Sequence, residues 1–260
     1  MTDDIAWLGL APREDGVWSF DLASHLGRGD GKLYGGTGLA ACVALMETVT
    51  GRDALWATVQ FSGSANVGER LDCTVDVHAQ GRRSSQLQVT VRAGDRLVCT
   101  ALGATGEHNE GPQEVQVPVM PDVPGPDDAD DWTGRMRLPN MPRQGWTEIA
   151  DMRRFELPDG HFGMWGRMKG HPQSRASISF LADFVPVSVS RAARVDGAGF
   201  SLDNSIRFGY FVDTDWVLLD FDPWFAAGSY LHGAVRLFAA DGTLLGVASQ
   251  TASGFIRPLP

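Results

Sequence analysis

The chain has 260 residues, 43% of them hydrophobic and 21% charged, a composition that suits a globular protein of one large domain or two smaller ones. Acidic residues outnumber basic ones by 32 to 22, and apart from Arg82–Arg83 and Arg153–Arg154 the basic residues are scattered, so nucleic acid and anionic membrane surfaces are not expected as partners. The three cysteines (Cys42, Cys73 and Cys99) cannot all pair with one another and have no zinc-like spacing, the N-terminus lacks the charge and apolar run of a signal peptide, and no stretch approaches the roughly 18 apolar residues of a membrane span. These features point to a cytoplasmic protein with reduced thiols, no membrane insertion and no metal.

In chain order, the first strong signal is the segment from Gly36 to Thr48, which is apolar almost all round and predicts a buried helix. Strands follow. Leu55–Phe61, Leu71–Val77 and Leu87–Arg92 alternate with period two, Gly94–Asp95 supplies a turn, and Leu97–Gly103 closes the set. Between 107 and 144 the composition shifts. Residues 121–131 are rich in Pro and Asp without hydrophobic periodicity and read as an extended, solvated linker. Beyond it the order repeats, with a helix-like run from Ala176 to Phe184, a strand from Leu202 to Phe208, an Asp241–Gly242 turn and a last strand from Leu244 to Gln250.

The repeat has a fixed offset. Leu55 maps to Leu202 and Leu97 to Leu244, both shifts of 147, with one single-residue gap between them. Self-similarity at constant offset implies duplication of a structural unit. One buried helix wrapped by a long antiparallel sheet is the hotdog arrangement. The expected fold is therefore α+β, a double hotdog with domains at 1–106 and 145–260 around the 107–144 linker. The two sheets would join edge to edge and so cover two exposed strands.

Tyr34–Gly35–Gly36 opening an apolar helix, the strand from Ser201 to Phe208, and the run from Trp216 through Asp241–Gly242 to Gln250 and Arg257 together resemble the acyl-CoA thioesterase II-like family. The resemblance implies hydrolysis of acyl-CoA or a related pantetheine thioester, with no cofactor, in a homo-oligomer. Family members hold a water with an Asp, a Thr or Ser, and a Gln. By position, the Asp falls on Asp203 and the Gln on Gln250, while the hydroxyl position falls on Trp224, whose indole N–H can only donate.

The residues carry a related reading by themselves. Thioester attack needs an acceptor to orient water and donors for the developing oxyanion. Asp203 is taken to look inward, in the strand bracketed by Leu202 and Phe208, and its duplicate position holds Trp56; the duplicate of Gln250 is Gly103. Two polar replacements in the second half suggest one site rather than two. Gly35 and Gly36 at a helix start offer backbone N–H donors backed by the helix dipole. His232, Ser205 and Asn204 are further candidates to assist, and Trp224, Trp56 and Phe208 are candidate pocket walls. The loop from Gly27 to Lys32 fails as a phosphate loop, because its spacing is short and Leu33 stands where Ser or Thr is needed. Two other readings stay open, a non-catalytic acyl-thioester or lipid binder and, with less support, a hotdog hydratase or dehydratase.

Overall fold

The computed structural model describes residues 4–107, 115–135, 145–157, 161–196, 199–254 and 257–258. In the first half, strand β1 (Trp18–Asp21) precedes helix α1 (Gly35–Thr50), which is followed by β2 (Asp53–Phe61), β3 (Arg70–Gln80), β4 (Ser84–Ala93) and β5 (Arg96–Gly106). In the second half, β6 (Ala150–Glu156) and β7 (Phe162–Met168) precede two short helices, α2 (Arg175–Leu181) and α3 (Val185–Ala192). Strands β8 (Gly199–Phe208), β9 (Val217–Ala227), β10 (Tyr230–Ala239) and β11 (Leu244–Gly254) complete it.

All these strands lie in one sheet of thirteen, in the order β1, β3, β4, β5, β2, β8, β11, β10, β9, β7, β6, with the two-residue strands Ala11–Pro12 and Asp130–Asp131 at its edges. Apart from the outermost strand Asp130–Asp131, the order is palindromic about the β2–β8 pair. That pairing is antiparallel and sets Thr58 opposite Ser205, its own counterpart 147 residues on, with the two hydroxyls 2.6 Å apart. The internal two-fold axis therefore passes through this pair, and neither half leaves its inner strand unpaired. The fold is the expected double hotdog.

Helix α1 is buried from Gly36 to Met46 and ends on Gly51 in the left-handed region, φ 65°. Its Ala, Leu and Met content favours helix, and its lack of a polar face forces it into the core. The second half differs from the single helix expected over 176–184. Helix α2 starts with a capping box between Ser174 and Ser177, stops at Leu181, and α3 restarts with Pro186 in its first turn. Proline is tolerated only there and disfavours helical backbone in the residue before it, so the run must bend. The bend at 182–184 is an elbow carrying Asp183.

The expected solvated linker is also corrected, in its described part. The Gln116 side chain bonds Gly242 O and Leu244 N, Trp165 Nε1 donates to Pro124 O, and Arg153 donates to Pro126 O. Met120, Val123 and Ala129 rest on a cluster of Phe155, Trp165, Trp216, Leu218 and Phe238. A Pro-rich strap offers carbonyls with few N–H groups to satisfy, so a few side-chain donors suffice to fasten it without any periodicity in its sequence.

Candidate active site

Asp183 sits in the elbow between α2 and α3, half-buried, and points at the start of α1. Its Oδ2 accepts the Gly36 N–H at 2.8 Å. Its Oδ1 accepts from the side-chain amides of Gln250 on β11 and Asn204 on β8 (the latter at 3.3 Å), with Ser201 Oγ at 3.5 Å. Gln250 Nε2 also donates to Ser201 Oγ at 2.8 Å. Burial lifts the Asp183 carboxyl to about 6, against the opposing pull of the Gly36, Gln250 and Asn204 bonds and the positive Arg28.

Both amides must turn their nitrogens toward the carboxylate, which can only accept. Their oxygens then face elsewhere. Gln250 Oε1 and Asn204 Oδ1 are buried with no donor among the described residues. Orphaned buried acceptors are costly, and two beside a carboxylate suit a site that holds water or a substrate N–H.

The glycines are set by contact. A Cβ on Gly36 would lie 2.3 Å from Phe180 O, and one on Gly35 would lie 2.6 Å from Asp183 Oδ2. Only glycine lets α1 approach the elbow this closely. The Gly36 N–H is engaged by Asp183 rather than free, which corrects the expectation of two open donors. Gly35 opens the helix, where the first-turn N–H groups have no intrahelical acceptor.

Two clefts meet over this cluster, sharing Arg28, Gly35 and Ser201. One, of about 410 Å³, is walled by Tyr34, Trp132, Trp146, Phe184, Pro186 and Val187, with Asp183 in its floor. Its rings pack on one another, Tyr34 and Trp132 each stacking on Trp146 and Phe184 meeting it edge-on. The other, of about 250 Å³, carries Arg28, Lys32, Ser62, Ser64 and Phe200.

The structure thus brings Gln250, Asn204, Gly35 and Gly36 together and adds Asp183 and Ser201. It does not bring the other candidates there. A β-bulge between Ser201 and Asp203 makes Leu202 an extra residue, so Ser201 and Asn204 both face the helices and Asp203 faces the opposite side of the sheet. There its Oδ1 accepts the Thr251 N–H at 2.7 Å. Ser205 lies on that same outer face, bonded to Thr58, and Trp56 follows in alternation. His232 is outward too, against Thr251 Oγ1 and the ring of Phe225. Trp224 is the extra residue of a second bulge, 54% exposed, with its indole N–H on Asp222, so it fills no acyl pocket. Phe208 is inward but packs against the general core rather than either cleft.

The polar set is confined to one half. At the offset of 147, Asp183, Ser201, Asn204 and Gln250 correspond to Gly36, Ala54, Ala57 and Gly103. Asp183 carried two signals in the sequence, as the one acid in an otherwise apolar run from Ala176 to Phe184 and as the counterpart of Gly36.

Comparison with known proteins agrees with this architecture. Residues 23–106 match the profile of the acyl-CoA thioesterase N-terminal domain, and residues 114–253 match that of the acyl-CoA thioesterase C-terminal domain, which includes the strap. No curated protein matches the chain. Among solved structures, a protein classed as a thioesterase from Novosphingobium aromaticivorans is 27% identical, with a TM-score of 0.81 over 94% of this chain and 97% of that one. A hotdog protein of unknown function from Alicyclobacillus acidocaldarius superposes over the full length of both chains at 17% identity and a TM-score of 0.83. Acyl-CoA thioesterase II from Mycobacterium marinum superposes over 98% of both at 18% identity and 0.72. The chain belongs to the acyl-CoA thioesterase family whose members carry an N-terminal and a C-terminal hotdog domain.

Proposed function

We propose that the protein hydrolyses acyl-CoA thioesters at the Asp183 cluster, with water as the nucleophile. The observation that carries this reading is the set of an Asp, a hydroxyl and a Gln in mutual contact, Asp183, Ser201 and Gln250, at the N-terminus of α1. It is the residue set of the family, with Asp183 in place of Asp203 and Ser201 in place of Trp224.

The chemistry follows from the lone pairs. Asp183 Oδ2 holds one hydrogen bond and faces Gly35 at the cleft, so it can take a proton from water. Gln250 Oε1 accepts the other water O–H and fixes its approach. The water oxygen adds to the thioester carbonyl, and the carbonyl oxygen gains negative charge near the Gly35 N–H and the positive end of the helix. Collapse breaks the C–S bond, and the proton held on Asp183 passes to the departing thiolate. The acyl chain occupies the aromatic cleft.

The test is thiol release from an acyl-CoA panel of short to long chain, run on the wild type beside Asp183→Ala and Gln250→Ala. Turnover that falls about 10²- to 10⁴-fold in Asp183→Ala is the expected result. Undiminished turnover in that variant would place the chemistry elsewhere.

A further inference from the structure

The loop from Gly27 to Lys32 lacks the spacing of a phosphate loop, yet the fold carries it to the mouth of the Asp183 site. Arg28 and Lys32 both line the smaller cleft, which opens onto Gly35 and Ser201 and, among the described residues, has no carboxylate in its wall. Arg28 lies 5.5 Å over the ring of Phe200, which is 54% exposed, and pairs with Asp30 at the rim. Among the described residues the Lys32 ammonium is held by Asn66 Oδ1, at 3.4 Å. Across the cleft, Ser62, Gly63 and Ser64 offer small side chains and hydroxyls that let a bulky anion come close.

The internal two-fold supplies a control. The related cleft at the other end of α1 also sets an arginine over a ring, Arg175 over Phe211, but its wall includes Glu47, Asp53 and Asp213. In a chain of net charge −10, the cleft whose described wall carries no acid is the one that joins the Asp183 cluster.

We infer that this basic cleft binds the phosphate-bearing nucleotide end of coenzyme A. Arg28 and Lys32 meet the phosphates, and Phe200 offers a stacking face to the base. The inference rests on the thioesterase reading and adds to it the direction of the substrate. The acyl group lies under Trp132 and Trp146, the thioester lies at Asp183, and the nucleotide leads out past Lys32. Side chains rather than a glycine-rich backbone cradle recognise the phosphate, as charge-assisted bonds to flexible cations.

The experiment compares two substrates with the same acyl group, acyl-CoA and acyl-pantetheine, the latter without phosphate. The readout is the ratio of their kcat/KM values in wild type, Arg28→Ala, Lys32→Ala and the double variant. The ratio cancels any change that losing Arg28 makes to Asp183 itself, since both substrates feel it. Each single variant should lower the ratio about tenfold, mainly through KM for acyl-CoA, and added salt should do the same to the wild type. An unchanged ratio, or equal losses on both substrates, would overturn the inference. Calorimetric titration with CoA itself separates the two readings. A wild type that turns over neither substrate but binds CoA through Arg28 and Lys32 would sink the hydrolysis reading and keep this one. A wild type that cleaves acyl-pantetheine or an acylated carrier protein, yet neither binds CoA nor prefers its thioester, would do the reverse.

Discussion

Asp183 receives donors from Gly36, Gln250, Asn204 and Ser201, yet burial holds its carboxyl up at about 6. Desolvation outweighs the hydrogen bonds because the surroundings are apolar rings and helix backbone. A base of this strength is mostly ionised at neutral pH and still accepts a proton readily. The expected profile of kcat/KM falls about tenfold per pH unit below pH 6 and levels off above it. A limb near pH 4 would mean an unburied carboxylate does the work. Asp203→Asn gives the complementary expectation: turnover close to wild type, because that carboxylate faces the outer side of the sheet and only caps the Thr251 N–H. A loss comparable to that of Asp183→Ala would restore the assignment made from position. Gln250 was legible in the sequence because its duplicate is a glycine. Asp203 misled because it was assigned by family position; alternation back from the inward Phe208 places it on the outer face, and what a period-two count misses is the bulge at Leu202 that turns Ser201 inward. Asp183 was hidden inside an apolar run, and its role arises only when α1 from the other half meets it.

At the scale of elements, the site depends on two closely fitted joints. The first is the elbow, which exists because Pro186 cannot continue α2. The second is the contact of α1 with that elbow, where Tyr34 Oη donates to Phe180 O at 3.1 Å and Gly36 passes beneath it. A Gly36→Ala methyl would meet Phe180 O, a backbone atom of α2 that cannot swing aside. The expected outcome is a loss of about 1–3 kcal/mol in urea unfolding, from overpacking, with turnover reduced as the elbow shifts. Unchanged stability would mean the two helices are not in register as described. The helix period announced α1 from Gly36 to Thr48, within two residues of its observed ends, because α1 is uniformly apolar and ends in a left-handed glycine. The strap was less legible. Its sequence carries no periodicity, and the donors that fasten it, Gln116, Arg153 and Trp165, act over distances along the chain that composition cannot register.

The whole molecule is a duplicated unit in which one of two equivalent regions keeps the chemistry. Where the second half places Asp183, Ser201, Asn204 and Gln250, the first half has glycine or alanine, and Met46 fills the space beside Gly103. The far end of α1 carries a half-buried carboxylate, Glu47, which accepts the Ala54 N–H at 2.8 Å and lies 3.8 Å from Arg175. Burial raises it to about 7, against the Ala54 bond and the Arg175 charge. A carboxyl raised above its unfolded value favours folding while protonated, so the folded state binds the extra proton between roughly pH 4.5 and 7 and stability declines as pH rises through that window. Asp183 acts in the same direction between about 4 and 6. Glu47→Gln keeps the oxygen that Ala54 needs and removes the buried charge. Its unfolding free energy should match that of wild type near pH 4 and exceed it at pH 8 by up to about 3 kcal/mol, several degrees in Tm, with acyl-CoA turnover unaltered. A gap that stays constant between pH 5 and 8 would show that Glu47 does not titrate in this range. A gap that opens together with a loss of turnover would mean the second region still takes part in the reaction, and the asymmetry of the four replaced positions would then describe two unequal sites rather than one.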